Sequence, residues 1–244
     1  MEKKEIIYGR NPVLEYLKQI SDPSGTELYI SESAHGKIID IIIGEAKRKK
    51  IRFQHCTREF LTKYESSSHN QGVVLIASLK KDNLTDAELL EYISKKSGVI
   101  VLLDQLTDPH NIGSIIRTAE ALGADAAVMT KANSPDINAT IIKTSAGATA
   151  YLKIITISNV AGFLENAKKA GFWIIGSDAD GSEDLAQLKE QKPAVIIIGS
   201  EGAGMRRLTR EKCDFVFRIP LKGRISSLNA SVAAGILLYE VMKD

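Results

Sequence analysis

The feature that most limits the fold lies in the second half of the chain, where short apolar runs alternate with amphipathic stretches. Runs at 99–103, 126–129, 154–156, 172–175, 194–198 and 215–219 are bounded by turn residues. Stretches at 112–122, 137–145 and 160–169 read as helices between them, and 228–242 reads as a long closing helix. An apolar run without polar alternation is a strand covered on both faces, and strand–helix alternation makes the sheet parallel. In the first of these helices Ile112, Ile116 and Ala119 share a stripe. Arg117 then lies about 140° round from Ile112 at 100° per residue. Ligands of such sheets gather beyond the carboxyl ends of the strands, so the loops there are where chemistry is expected.

The first half reads as a separate small α/β domain over 1–80, with 81–96 as a polar linker and 97–244 as the second domain. Strands are expected at 27–30, 51–55 and 72–77, helices at 35–50 and 57–63, and a helix at 86–95 inside the linker. Residues 1–80 hold 13 Lys and Arg against 10 Asp and Glu, whereas 81–244 hold 19 against 20, so the excess positive charge sits in the first half. Much of it is Lys47-Arg48-Lys49-Lys50 and Arg52. That run reads either as the C-terminal turn of a helix, where cations suit the dipole, or as a contact for phosphates. A chain of 244 residues buries a core without disulfide staples. Cys56 and Cys213 form no CxxC pair, and the four histidines show no metal-ligand spacing. No apolar run approaches the ~18 residues of a membrane span. A reduced, metal-free, cytoplasmic protein is expected.

Three loops after three strands carry the chemistry. In 104–113, Asn111 stands at the expected helix entrance, where a side-chain oxygen can cap free N–H groups. In Gly199-Ser200-Glu201-Gly202-Ala203-Gly204, three glycines let the backbone turn tightly and approach a ligand. No Gly-Lys-Ser/Thr follows, and Glu201 would repel phosphates, so a cationic or uncharged nucleoside-like ligand fits better than a triphosphate. The third loop, Ser226-Ser227-Leu228-Asn229-Ala230-Ser231, has more hydroxyl and amide groups than capping alone requires.

Taken together, the N-x-G-x-x-x-R loop, the GSEGAG loop and the SSLNxS helix start resemble the three motifs of the SPOUT methyltransferases, in the TrmH (SpoU) branch. The resemblance covers about 97–244. The opening Ile7-Tyr8-Gly9-Arg10-Asn11-Pro12 resembles the small RNA-binding domain of members that methylate a guanosine of 23S rRNA. Where that domain usually reads His-Gln-Gly, this chain has His69-Asn70-Gln71-Gly72. The resemblance implies S-adenosylmethionine as donor, an RNA ribose 2′-hydroxyl as acceptor, a homodimer and a deep trefoil knot. It also places Arg117 and Asn111 at the acceptor ribose, with Ser227 and Asn229 ordering Arg117 and the substrate. Glu201 would hold Asn111 or Arg117, and the backbone at Gly199, Ile219 and Leu228 would contact the cofactor. A tRNA ribose is the alternative acceptor. Two other classes are a non-catalytic RNA-binding module, which predicts decay of this residue set, and a nucleotide-dependent α/β enzyme. The latter predicts a Walker lysine or a ribose-binding carboxylate ~20 residues past the glycines. Arg206, Arg207, Arg210, Lys222 and Arg224 cluster near the expected site and suit a phosphate backbone.

Overall fold

The computed structural model describes residues 4–65, 67–78, 84–178, 180–181, 191–200, 204–224 and 227–243, arranged as two units. The first comprises Met1–Lys81 with Ile137–Tyr151, and the second Asp82–Asp136 with Leu152–Asp244.

The first unit contains β1 (Lys4–Tyr8), α1 (Arg10–Gln19), β2 (Glu27–Ser31), α2 (Lys37–Arg48), β3 (Arg52–Cys56), α3 (Arg58–Leu61), α4 (Ser67–Asn70) and β4 (Val73–Ser78). Its sheet runs β1-β4-β2-β3, antiparallel except for the β2–β3 pair. Ile7, Leu28, Ile30 and Leu75 from the strands share a core with Val13 and Leu17 of α1 and Ile39 and Ile42 of α2. The alternate strand positions Tyr8, Tyr29 and Val74 meet Leu61 in a second, smaller core. The basic run closes α2 as a helix end: Arg48 pairs with Glu45 at 2.7 Å, and the Lys49 Nζ donates to the carbonyls of Lys18 and Ile20. The extra Asn70 is structural, 1% exposed, donating to the Glu65 carbonyl at 3.0 Å and accepting from the Gly72 N–H at 2.8 Å.

One segment departs from the sequence expectation. The helix expected over 137–145 is α7 (Ala139–Thr144), capped by Asn138, and with the 3₁₀ turn Ala148–Ala150 it belongs to the first unit. Ile142 is buried in the larger core, and Ala139 packs on the smaller one. The Tyr16 hydroxyl donates to Thr149 Oγ1 at 2.9 Å, and burial pushes the Tyr16 phenol up to about 12. Gly147 has φ +92°, and a Cβ there would lie 2.9 Å from Glu15 Cβ. Nothing in the local pattern of 137–151 announces which unit it completes.

The second unit contains α5 (Asp86–Ser94), β5 (Val99–Leu103), α6 (Pro109–Ala121), β6 (Ala126–Thr130), β7 (Lys153–Ile157), α8 (Val160–Lys169), β8 (Trp173–Ser177), β9 (Ala194–Ile198), α9 (Arg207–Arg210), β10 (Phe215–Phe217) and α10 (Ala230–Met242). The six strands pair parallel throughout, in the order β10-β8-β9-β5-β6-β7. Every residue of β5, β6 and β9 is buried, as uninterrupted apolar runs require. The helix α5 falls within the expected linker, yet Leu89, Leu90 and Ile93 lie in this unit's core. A capping box between Thr85 and Glu88 starts it. β10 stops at Phe217, short of the expected 219, so Ile219 lies in the loop beyond the strand end. Among the described residues no helix is long and apolar enough to cross a membrane.

Candidate active site

The site is built at the carboxyl ends of β9 and β5. The Asp104 N–H donates to the Ile198 carbonyl at 2.9 Å, so the two strands end level. Asn111 is not the cap of α6, as the sequence suggested. Asp108 caps it, accepting from the His110 N–H at 2.9 Å, and Pro109 takes the first helical position, where no N–H is needed. The Asn111 amide is instead bonded on both sides, within the first turn and across to α10.

Its orientation is dictated by charge. An ionised Asp108 can only accept, so Asn111 turns its Nδ2 to Asp108 Oδ2 at 3.2 Å and leaves Oδ1 to accept from Asn229 Nδ2 at 3.0 Å. Asn229 in turn caps α10, its Oδ1 accepting from the Ser231 N–H at 2.9 Å and from Ser231 Oγ at 2.6 Å. The chain of donors thus runs from the start of α10 to the start of α6. It ties the first and third loops across 118 residues of sequence. Asn111 is 7% exposed.

The second loop closes on itself. Ser200 and Gly204 exchange backbone hydrogen bonds of 3.1 and 3.0 Å. A Cβ on Gly199 would lie 2.5 Å from the carbonyl carbon of Gly204, so only glycine permits that closure. The segment that follows the loop is pinned on two sides. Asp104, 1% exposed, accepts from Arg206 Nη2 at 2.7 Å, Arg206 Nε at 3.2 Å and Thr209 Oγ1 at 2.9 Å. Arg210 Nη1 donates to Asp178 Oδ2 at 2.7 Å, at the end of β8. The one-turn α9 is therefore held to the strand on each side of β9.

These pairs revise the basic cluster. Arg206 and Arg210 are consumed by Asp104 and Asp178, and Arg207 pairs with Glu211 at 2.6 Å. Lys222 and Arg224 remain exposed, without an ion pair among the described residues. Arg117 is exposed on α6 and hydrogen-bonds to no other described residue. It sits about 9 Å along the axis from Asn111 at 1.5 Å per residue, and about 120° round it. The structure does not bring these two together within one chain. Ser227 and Leu228 are exposed ahead of α10, and Glu201 lies outside the described residues. The sequence reading missed Asp104, Thr209 and Asp178. The available signal was an acid directly after a buried strand, at Asp104 and Asp178 alike.

The parallel α/β sheet with its self-closing glycine loop and amide-linked helix pair is, by its family, that of an RNA methyltransferase. The chain belongs to the SpoU rRNA Methylase family, whose model matches residues 98–239. Residues 6–82 match the RNA 2′-O ribose methyltransferase substrate-binding model. YacO of Bacillus subtilis, by name a TrmH family tRNA/rRNA methyltransferase, is 36% identical over 242 residues, covering 99% of this chain and 96% of that one. The 23S rRNA (guanosine-2′-O-)-methyltransferase RlmB of Pseudomonas aeruginosa is 35% identical over 247 residues, covering 100% and 98%. The fold matches that of the SpoU methyltransferase AviRb from Streptomyces viridochromogenes, solved in complex with AdoMet. That match has a TM-score of 0.77 at 24% identity, covering 97% of this chain and 88% of that one.

Proposed function

We propose that this protein uses S-adenosylmethionine to methylate a ribose 2′-hydroxyl, that of a guanosine in 23S rRNA. The observation that carries the reading is the Asn111–Asn229 hydrogen bond of 3.0 Å, which assembles two of the three loops into one polar centre. A purely RNA-binding module predicts decay of the residue set, yet Asn111, Arg117, Glu201, Ser227 and Asn229 are all present in the sequence. The small first unit matches an RNA substrate-binding family, and the choice of ribosomal RNA over tRNA follows the name of the Pseudomonas aeruginosa relative.

The residues present fit the donor. The loop backbone at Gly199, Ile219 and Leu228 would hold it, and the tight Gly199 turn leaves main-chain groups rather than side chains at the end of β9. When bound, S-adenosylmethionine supplies an electrophilic methyl group on a sulfonium centre. Asn111 and Asn229, fixed in orientation by Asp108 and the α10 amides, would hold the acceptor ribose in line, which is a positioning task. Arg117 would grip a phosphate and stabilise the developing alkoxide. A guanidinium is always protonated and is a poor base. Ser227 and Glu201 would order these groups.

Gly199→Ala is expected to weaken S-adenosylmethionine binding by tenfold or more, because its Cβ must push Gly204 away. Calorimetric titration reads this, and unchanged affinity would remove the glycine loop from the cofactor site.

The working form in this reading is a homodimer in the cytoplasm. α10 is apolar on all sides, and such helices are normally buried, yet Val232 is 50% exposed and Tyr239 57% exposed on one stripe. A second copy would cover that stripe. Val232→Glu combined with Tyr239→Glu is expected to halve the mass measured by light scattering. A double variant that keeps the wild-type mass would place the dimer face elsewhere.

The deciding experiment is transfer of labelled methyl groups to unmodified 23S rRNA and to unmodified tRNA in parallel, with Arg117→Ala as control. Label mapping to a ribose of the rRNA supports the reading. Label in tRNA alone overturns the substrate, and label on a base overturns the 2′-hydroxyl.

A further inference from the structure

A small cavity of about 110 Å³ opens at the carboxyl ends of β5, β6 and β7, and no residue assigned above to the reaction lines it. Gln105, Thr130, Ser158, Arg206, Leu208 and Thr209 are part of its wall. From this cavity we infer a binding site for an unpaired nucleobase of the substrate RNA, next to the nucleotide whose ribose is methylated. The inference rests on the functional reading above and adds a specificity-determining residue, Gln105.

The side chains of the lining favour a neutral ligand. The one cationic group, Arg206, already meets the buried Asp104 carboxylate through two nitrogens, at 2.7 and 3.2 Å. That pairing neutralises the side-chain charge a phosphate would draw on, and leaves the first turn of α8, at Val160 and Ala161, as the wall's main-chain donors. The remaining side chains are neutral: the amide of Gln105, the hydroxyls of Ser158, Thr130 and Thr209, and the apolar Ala132, Val160, Ala161 and Leu208. Two of those hydroxyls are engaged elsewhere. Thr130 Oγ1 accepts from the Gln105 N–H at 3.0 Å and contacts the Ala132 carbonyl at 3.1 Å, and Thr209 Oγ1 donates to Asp104. The Gln105 amide and the Ser158 hydroxyl make no hydrogen bond to another described residue. A planar ligand with a polar edge and apolar faces matches this set. The Gln105 amide offers one donor and one acceptor to the edge of a base. Leu208, 63% exposed, supplies an apolar surface at the rim.

Gln105 is also placed at a cost. Its φ is +59°, in the left-handed region that glycine or asparagine occupies with less strain. Lys50, Gln71, Ser97 and Ala146 share the sign of φ, but each follows the last turn of a helix, where such a residue is expected, and Asn133 is of the residue type that tolerates it. Gln105 follows a strand, and strained residues of this kind cluster at ligand sites. The geometry suits RNA as well. Neighbouring strands run about 4.8 Å apart, so the ends of β6 and β7 lie about 5–10 Å along the sheet from β5. That is the reach of an adjacent nucleotide in an extended strand.

The test is a double substitution across the interface, in whichever of the 23S rRNA or tRNA fragments accepts methyl groups. Abasic sites are placed singly at the two positions on each side of the methylated nucleotide. With the wild-type protein, one abasic site is expected to lower kcat/KM by about tenfold or more, the loss typical of one stacked base. Gln105→Ala should show a similar loss on the intact RNA, through KM, and no further loss on that abasic RNA. Its affinity for S-adenosylmethionine should stay at the wild-type value. Ser158→Ala, at an exposed position, repeats the test if Gln105→Ala fails to fold. Losses that simply multiply, or no effect of any flanking base, overturn the inference. Gln105→Ala weakening every RNA equally, abasic or not, would assign the cavity to the RNA backbone and overturn it too. No transfer to either RNA would instead defeat the functional reading.

Discussion

Arg117→Ala is expected to lower methyl transfer by a hundredfold or more while moving the melting temperature by no more than about 1 °C. The two halves of this result have separate grounds. Arg117 is exposed and bonded to no other described residue, so folding loses nothing, and alanine is the better helix former. In the reaction the guanidinium offers charge where the 2′-oxygen becomes an alkoxide, and removing one such donor typically costs two to three orders of magnitude. Arg117→Lys then becomes informative. An ammonium keeps the charge and loses the planar fork, so activity above that of Arg117→Ala is expected. A lysine variant as inactive as the alanine variant would assign Arg117 a geometric or proton-transfer role. Calorimetry with S-adenosylmethionine should give the same affinity for all three proteins.

Asp104→Ala is expected to be the most damaging single change to stability near the site. The carboxylate is 1% exposed and receives three donors from the segment that follows the glycine loop. Breaking a buried pair from one side costs about 3–5 kcal/mol. The Arg206 side chain is 45% exposed and can rehydrate, which lowers the expectation to about 2–3 kcal/mol. For a chain of this size that corresponds to about 5–10 °C in melting temperature. Asp104→Asn keeps the shape but turns an amide toward the guanidinium, and is expected to fall between. Differential scanning calorimetry reads both. A loss below about 0.5 kcal/mol for the alanine variant would mean that α9 is held by Asp178 and packing alone.

The second unit was the more legible in the sequence, because fully buried parallel strands leave apolar runs that need no alternation to be seen. β5 and β9 coincide with their runs at 99–103 and 194–198. β1 and α1 escaped a residue-level reading, since 4–8 opens on charged residues and α1 is preceded by Gly9, which offers no side-chain cap. At the site the residue types were legible and their pairing was not. Asn229 reads as a cap from sequence, but the second use of its amide, on Asn111, depends on how α10 packs against α6. The arginines after the glycine loop looked like phosphate contacts because their acids lie far off in the chain. Asp104 stands 102 residues before Arg206, and Asp178 stands 32 before Arg210. Ion pairing at such separations has no local signature.

The division of the chain also sets an order of events during synthesis. A ribosome finishes the first 81 residues well before it reaches 137–151, so the nascent small unit emerges without Ile142 in its core or Thr149 against Tyr16. Until then its interior stays incompletely filled, a state open to chaperones and proteases. Gene fragments ending near codon 81 should accordingly yield aggregation-prone protein, whereas the same fragment supplied with 137–151 on a tether should gain protection in amide exchange.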